Sequence, residues 1–552
     1  MDRSVEVARS LASTSGNRRT LLKGAAGAGV AGAFGVGVFG GVRPATAQAG
    51  TPVAGGQFVT LGHQEIASLS PDDSGPSVHY AIVSNIHNAL IQLDQNFEPQ
   101  PVLATAMPEV SEDGMTFTFT LHEGVLFHDG EEFTSEDVKY TYEWYMNPDN
   151  AAVSANNFAS VESVEAPDPY TVIVNLSEPN AAFFALVAST FIVPAHYHAE
   201  IGEDAYKSAP IGTGAFQLDE WRAAEFTQLV AFEDHFRGRP NLDGYRLNVV
   251  PEASVRAIAL ETGDADNSVW PLVTEDDLRL TDSGQFTTFV TSSLAVNHFP
   301  LNNTHPILSD KRVRQAMMFA LDRQAVIDDI FSGAATLATA NLSPAMGDFY
   351  TADVAEYPYE TERAAALLEE AGWTMGGDGI REKDGERLSF VCTVITGDQA
   401  RRPEAEVVQS YLLEVGIDMQ IEEAPVATIL ERMPAGEMDA SLFNWTYGGD
   451  GADPDASTVL ASDANNNFSQ FTNERVDELL ALGLTELDPT ARAAIYHEIQ
   501  QIVAEEVPFL FMMYWDLFTH FSNRVQGLPE SALSSDNINP LANQWWIDES
   551  GS

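Results

Sequence analysis

Apolar and polar residues alternate from Thr116 to Leu121 and again from Tyr170 to Leu176. Strand side chains point to opposite faces with period two, so both runs predict half-buried strands. Between them the period lengthens. Val138, Thr141, Tyr142 and Tyr145 fall on one helical face, and Thr134 with Asp137 three residues on predicts the helix start. Farther along, Asp310 predicts the cap of a helix whose apolar stripe is Val313, Ala316, Met317, Ala320 and Leu321, closed by Gly333. Residues 404–415 predict another helix, with Val407, Val408, Tyr411, Leu412 and Val415 as its apolar positions. Gly416 stops it and the strand Ile417–Ile421 follows at once. Asp488-Pro489 opens a helix with Ile495, Ile499, Ile502 and Val503 on its apolar face. Pro508 breaks that helix before the strand Phe509–Met513. Helix–Gly–strand units of this kind build α/β lobes. No internal repeat is visible.

The chain has 552 residues, 44% of them hydrophobic, which supplies apolar surface for more than one core. Its formal net charge of −53 is the opposite of what a nucleic-acid surface requires. The charge reads as a solvated acidic shell, which also repels anionic membranes and acidic ligands at long range. Lysine appears only at Lys23, Lys139, Lys207, Lys311 and Lys383, the remaining cations being Arg. Such a surface suits a high-salt exterior, where screening weakens self-repulsion. The single cysteine, Cys392, lies in the apolar run Leu388–Ile395 and predicts a buried, inert thiol.

The first fifty residues read as an export signal. A twin-arginine pattern runs from Asn17 through Arg18-Arg19 to Lys23. A Gly/Ala/Val stretch follows from Gly24 to Val42, and Ala45-Thr46-Ala47 forms a small-residue cleavage site ending at Ala47. An uncleaved anchor is the competing reading, but the stretch is short and glycine-rich for a stable span. No cysteine follows it, so no lipid-attachment site is present. Cleavage removes more cations than anions, making the exported form still more acidic. The string Gly27-Ala-Gly29-Val-Ala-Gly32 has GxGxxG spacing but no preceding strand, so it is no dinucleotide site. Residues 48–56 read as a flexible tether. Beyond them no apolar run reaches the roughly 18 residues that a membrane span needs.

Several chemistries fail on their spacing. There is no P-loop, no G-x-S-x-G and no H-E-x-x-H; after His122-Glu123 the second His position holds Leu126. Asp453-Pro-Asp455-Ala-Ser457 begins like a calcium loop, but Thr458 replaces the required Gly and Ala464 the closing Glu. His196 and His198 read as a loop pair without a further metal ligand. The expectation is a protein without catalytic residues, cofactor or metal. A secreted hydrolase is the distant alternative, because triads assemble in three dimensions.

Four ordered blocks then carry a resemblance. They are Leu103 to Val138; Ile211 to Phe216; Leu294 to Asn297 with Asp310 to Ala316 and Ala320 to Arg323; and Asn444-Trp445 through Asp453-Pro454. Over residues 56 to 530 the chain resembles the family 5 extracellular solute-binding proteins, which include dipeptide-, oligopeptide- and nickel-binding components of ABC importers. The resemblance implies an α/β, two-lobed periplasmic-binding-protein-like fold of type II, the large peptide-binding subclass, with an extra subdomain on lobe one. Lobe one then takes 57–296, with 97–210 as the subdomain, and 519–552; lobe two takes 297–518. The crossings fall near Leu294–Phe299 and Trp515–Phe521. The implied function is capture of a peptide, or a sugar or metal chelate in the alternative, between the lobes and its delivery to ABC permease subunits outside the cytoplasm. A monomer is expected. In peptide-binding members an Asp shortly before the Asp-Pro pair holds the peptide ammonium, and counting back from Asp453-Pro454 puts Asp450 there. Trp445, Tyr447 and Trp270 are expected as pocket walls, since aromatics give adaptable apolar contacts. Asn297, at the crossing, is expected to bond ligand backbone.

Overall fold

The computed structural model describes residues 51–72, 77–396, 398, 401–447, 453–533 and 536–548, without the side chains of 536 and 537. The twin-arginine segment, Ala47 and Asp450 lie outside the described residues. Among the described residues no helix is long and apolar enough to cross a membrane.

One mixed sheet organises the chain. Its strands are β1 (Gln57–Gly62), β2 (Phe216–Arg222), β3 (Phe226–Ala231), β4 (Gly244–Val249), β5 (Asn267–Ser268), β6 (Phe286–Pro300), β7 (Phe443–Thr446) and β8 (Phe509–Ser522). They lie in the order β7-β6-β8-β5-β1-β4-β3-β2, with Ala335–Leu337 also paired to β8. β1 runs parallel to β4 and β5, whereas β6 and β8 form a long antiparallel pair from Phe286 opposite Ser522 to Pro300 opposite Phe509.

That pair passes from one core into another. At one end Phe289 and Phe521 pack with Phe58, Tyr245 and Trp545. At the other, Val296, Phe299 and Phe511 join Val313, Met317, Leu412 and Val503. The register shifts between Ser292 and Val296, where the two cores meet. Such an irregularity bends and twists a ladder locally. The chain therefore forms two α/β lobes joined through paired strands. A third apolar cluster, with Phe117, Phe119, Val138 and Tyr142, fills a separate four-stranded subdomain.

The subdomain follows its sequence pattern. Thr116–Thr120 and Thr171–Leu176 pair antiparallel, each with one buried and one more exposed face. The helix Ser135–Met146 begins at Thr134 as the spacing predicts. One Asp137 oxygen accepts the Thr134 N–H at 2.9 Å, and the other accepts the Ala195 N–H at 2.9 Å, so the cap also ties in a second segment.

In lobe two the helix Arg401–Glu414 ends at Gly416, whose φ of +85° lies in the left-handed region that favours glycine. The strand Asp418–Ala424 then pairs parallel with Ser389–Ile395, in which Cys392 is fully buried. The helix Pro489–Glu506 is capped by the Asp488 carboxylate, which accepts the Ala491 N–H at 2.8 Å. Its final carbonyls, Glu506 and Val507, are taken by the buried Arg314 guanidinium at 2.7 and 2.9 Å. Those orphan acceptors are thus satisfied without solvent.

Two expectations need correction. The helix capped by Asp310 does not continue to Gly333. It ends at Ala320, Leu321 is extended, and Arg323–Ile330 forms a second helix. The Asp322 carboxylate accepts the Ala325 N–H at 3.0 Å, restarting the helix where the apolar stripe alone suggested continuity. His196 and His198 are not a loop pair but lie on the helix Ala195–Ile201. Their spacing turns them apart: His196 Nε2 meets Asp129 at 2.8 Å, while buried His198 bridges Tyr140 at 2.8 Å and Glu203 at 2.9 Å.

Candidate functional site

A cavity of about 1130 Å³ lies between the subdomain and lobe two. The subdomain wall comes from residues 156–186, including Asn156, Asn180 and Leu186. The facing wall comes from Leu294 and Ala295 on β6, from β7, from Asp453, Asp455 and Thr458, and from residues 481–485.

β7 supplies the central part of the second wall because it is the outer strand beside β6, with Trp445 opposite Val296 and Asn444 opposite Asn297. The Trp445 indole is half-buried and stands edge-on to Phe468, with ring centroids 5.0 Å apart. That fixes its plane while leaving part of it on the cavity. Arg401 Nη2 donates to the Asn444 side-chain oxygen, and Arg401 is itself paired with Asp398. The contact commits the amide oxygen and leaves Asn444 Nδ2 as the group that can donate. Asn180 is held likewise on the opposite wall: its Nδ2 donates to Ser160 at 2.9 Å and its oxygen accepts the Ala182 N–H at 2.9 Å.

The acidic residues in the wall are not equivalent. Asp453 accepts two hydrogen bonds from Arg492 at 2.8 and 2.9 Å, and both side chains are buried. Arg492 also donates to the Gly483 carbonyl at 2.8 Å, fastening the Asp453 loop to a neighbouring helix. Asp455 turns back to accept from Ser457 N at 2.9 Å and from its hydroxyl, and burial raises its carboxyl above the ordinary range. The calcium-loop-like spelling at Asp453–Ser457 is thus a turn closed on its own backbone. Glu178 brings a further carboxylate from the subdomain side.

The two walls touch at one edge. The Ala181 N–H donates to the Leu484 carbonyl at 2.9 Å. Beside it, Leu487 fills the space over Gly114, where an added Cβ would lie 2.1 Å from Leu487 Cδ1. Gly114 has a φ of +69°, in the left-handed region that favours glycine, whereas the Leu487 tip is the end of a flexible, exposed side chain.

Of the residues singled out from the sequence, Trp445 lines this cavity. Tyr447 and Asn297 sit behind it in the lobe-two interior. The Tyr447 hydroxyl meets His298 Nε2 at 2.8 Å, and its ring stacks on Phe509 at 4.9 Å. Asn297 is buried and donates from Nδ2 to Glu404 at 2.9 Å. Trp270 stands away from the cavity lining, 44% exposed and stacked on His63 at 4.5 Å. The spacing pointed to neither Asn156, Asn180 nor Leu484. Asn156 lies in the short 3-10 helix Ala155–Phe158, Asn180 in a loop and Leu484 at the end of the helix Glu474–Thr485, where single Asn and Leu residues carry no periodic signal.

Comparison with known proteins agrees with this architecture. The model of the bacterial extracellular solute-binding proteins, family 5 middle region, matches residues 98–468. Protein XP55 of Streptomyces lividans is 31% identical, over 83% of this chain and 84% of its own length. The oligopeptide-binding protein AppA of Bacillus subtilis is 27% identical, over 90% of this chain and 93% of its own. The structure of AppA in complex with a nonapeptide aligns with a TM-score of 0.71 at 26% identity, covering 90% of this chain and all of that one.

Proposed function

This chain belongs to the bacterial extracellular solute-binding proteins of family 5, and from that premise we propose that it captures short peptides between its lobes and delivers them to the permease of an ABC importer. The observation that carries the peptide reading is the composition of the cavity of about 1130 Å³. Its volume exceeds the roughly 300–1,000 Å³ of a drug-sized pocket, giving room for more than one amino-acid residue. Its walls alternate apolar surface, from Trp445, Leu186, Leu294 and Leu484, with amides at Asn156, Asn180 and Asn444. A peptide alternates side chains with amide groups in the same way. Carboxylates at Glu178 and Asp455 suit a ligand cation, and Asp450, outside the described residues, is the proposed ammonium partner from its place before Asp453-Pro454.

In this reading, lobe one takes 57–296 and 519–552, lobe two takes 297–518, and β6 and β8 are the connections about which the lobes close. A ligand touching both walls shifts the population toward the closed form, the form presented to the permease. The protein works as a single copy, exported by the twin-arginine route and cleaved after Ala47. Its action is binding and release without turnover.

Native mass spectrometry of the exported protein, followed by calorimetry with di- to pentapeptide pools, tests the assignment. Co-purified peptide and submicromolar to micromolar binding are expected. No peptide binding, alongside tight binding of a sugar or a metal chelate, sinks the peptide assignment while leaving solute capture intact.

A further inference from the structure

The turn 127–130 and the loop 211–214 meet where the subdomain joins lobe one. Phe127 belongs to the subdomain core. Ala215, directly after the loop, packs in the core of lobe one with Phe58 and with Ile82 and Ile86 of the helix Ser77–Ile86. The loop lies hard against the end of that helix. An added Cβ on Gly212 would stand 2.2 Å from the Ile86 carbonyl oxygen, and one on Gly214 2.2 Å from that of Asn85. The Gly214 N–H donates to the Ile86 carbonyl at 2.8 Å, and Asn88 Nδ2 donates to the Thr213 hydroxyl at 3.1 Å. The loop is thus fixed to lobe one.

From the subdomain side, His128 holds the same loop three times. Its N–H donates to the Gly212 carbonyl at 3.0 Å. Its ring Nδ1 accepts the Gly212 N–H at 3.2 Å, and its Nε2 lies 3.0 Å from the Gly214 carbonyl. A backbone N–H only donates and a carbonyl only accepts, so the ring is neutral, with Nδ1 bare and the proton on Nε2. A second proton, on Nδ1, would point at the Gly212 N–H, donor against donor. The charged imidazolium therefore cannot keep all three bonds.

The surroundings also disfavour the charge. Burial pushes the ring down from 6.5 to about 4, against the Gly214 carbonyl and Asp129, which favour the charged form, with His235 opposing it. Asp129, on the same turn, is bonded to His196 of the helix Ala195–Ile201 at 2.8 Å. His235, itself near Arg237, bonds the Gly238 carbonyl through Nδ1 at 3.2 Å. His87, beyond the loop, meets the Tyr206 hydroxyl at 2.9 Å. The loop itself brings no ionisable side chain.

We propose that His128 is a positioning residue that clamps the subdomain to lobe one only while neutral, so that acid releases the loop 211–214 and frees the cavity wall that the subdomain carries at residues 156–186. Between 6.5 and about 4 the released form holds more protons than the clamped form. The clamp is therefore at full strength above 6.5, weakens as pH falls through that window and is flat below it. The clamp is read without ligand, so it stands or falls apart from the peptide reading.

Hydrogen exchange of the segment 209–216 in the full exported chain, corrected for the intrinsic rate at each pH, tests it. Protection of the Gly212 and Gly214 amides is expected to fall on the order of twentyfold between pH 7 and pH 5. His128→Asn offers an acceptor to the Gly212 N–H and does not titrate in that range, so its protection is expected to change less than threefold. His128→Gln, which keeps a donor for the Gly214 carbonyl, is expected to respond as weakly and serves if the Asn variant does not fold. His235→Gln should retain the wild-type response. An unchanged protection in the wild type, an equal fall in the His128 variants, loss of the response in His235→Gln, or an equal loss of protection throughout the chain would each overturn the proposal.

Discussion

Asn297 Nδ2 donates to Glu404 Oε2 at 2.9 Å, joining β6 to the first turn of the Arg401–Glu414 helix in the interior of lobe two. The partner atoms Asn297 Oδ1 and Glu404 Oε1 are both buried and unsatisfied. A proton on Oε1 would complete a two-bond amide–acid pair.

Burial raises the Glu404 carboxyl to about 7, against the bond from Asn297 and nearby Arg401, which favour the charged form, and with Asp398 opposing it. Between the ordinary value of 4.5 and about 7 the folded state holds more protons than the unfolded state. This group's contribution is therefore fully present below 4.5, declines as pH rises through that window and is flat above it. Glu404→Gln keeps the shape and supplies an N–H in place of the proton. At pH 8 it is expected to stabilise the protein by up to about 3 kcal/mol relative to wild type, with little gain at pH 5. Urea unfolding at both values checks this; an equal difference at both pH values refutes the protonated pair.

The Arg492–Asp453 ion pair is buried on both sides. Arg492→Met would leave the Asp453 carboxylate without its counter-charge at the cavity wall, at an expected loss of about 3–5 kcal/mol in stability. Adding Asp453→Leu should recover much of that loss, because the uncompensated charge is then removed. A double variant as unstable as the single one would show that the pair acts through Gly483 and the loop rather than through charge.

Ala181 and Leu484 predict a different kind of effect, since their bond is between walls rather than to ligand. Ala181→Pro removes the donor, and one backbone hydrogen bond contributes about 0.5–1.5 kcal/mol. Peptide affinity should fall roughly two- to tenfold as the closed form loses that contact. Small-angle scattering without ligand should show a more open average. Unchanged affinity and unchanged scattering would mean that this edge does not contribute to closure.

The elements were more legible than the site. Thr134, Asp488 and Gly416 announce helix ends because caps act over one turn. The restart at Asp322 is not legible in the spacing, because an apolar stripe can run through a break that only a side-chain bond creates. Trp445 could be singled out as an aromatic beside the Asp-Pro block, whereas Tyr447 and Asn297, from the same two blocks, face the interior. Trp445 and Tyr447 are two residues apart, so strand alternation does not separate them; the chain leaves β7 at Thr446, and Tyr447 turns onto Phe509 in the interior, which no local pattern encodes. Asn156 and Asn180 reach the cavity only because a separate subdomain is brought opposite β7.

That arrangement gives Arg401 a specific role. It holds the oxygen of Asn444, a residue of the cavity wall, and so leaves Nδ2 as the available donor. Arg401→Met removes the restraint, and the amide then loses its fixed orientation. Peptide affinity is expected to fall about tenfold, and Asn444→Ala should do the same. If Arg401 acts by positioning Asn444, the two changes together cost no more than either alone; independent contacts would make the losses add. Calorimetry on the four proteins of this cycle distinguishes the cases. Full additivity would show that Arg401 reaches the ligand, or its charge field, by itself and that the Asn444 contact is incidental.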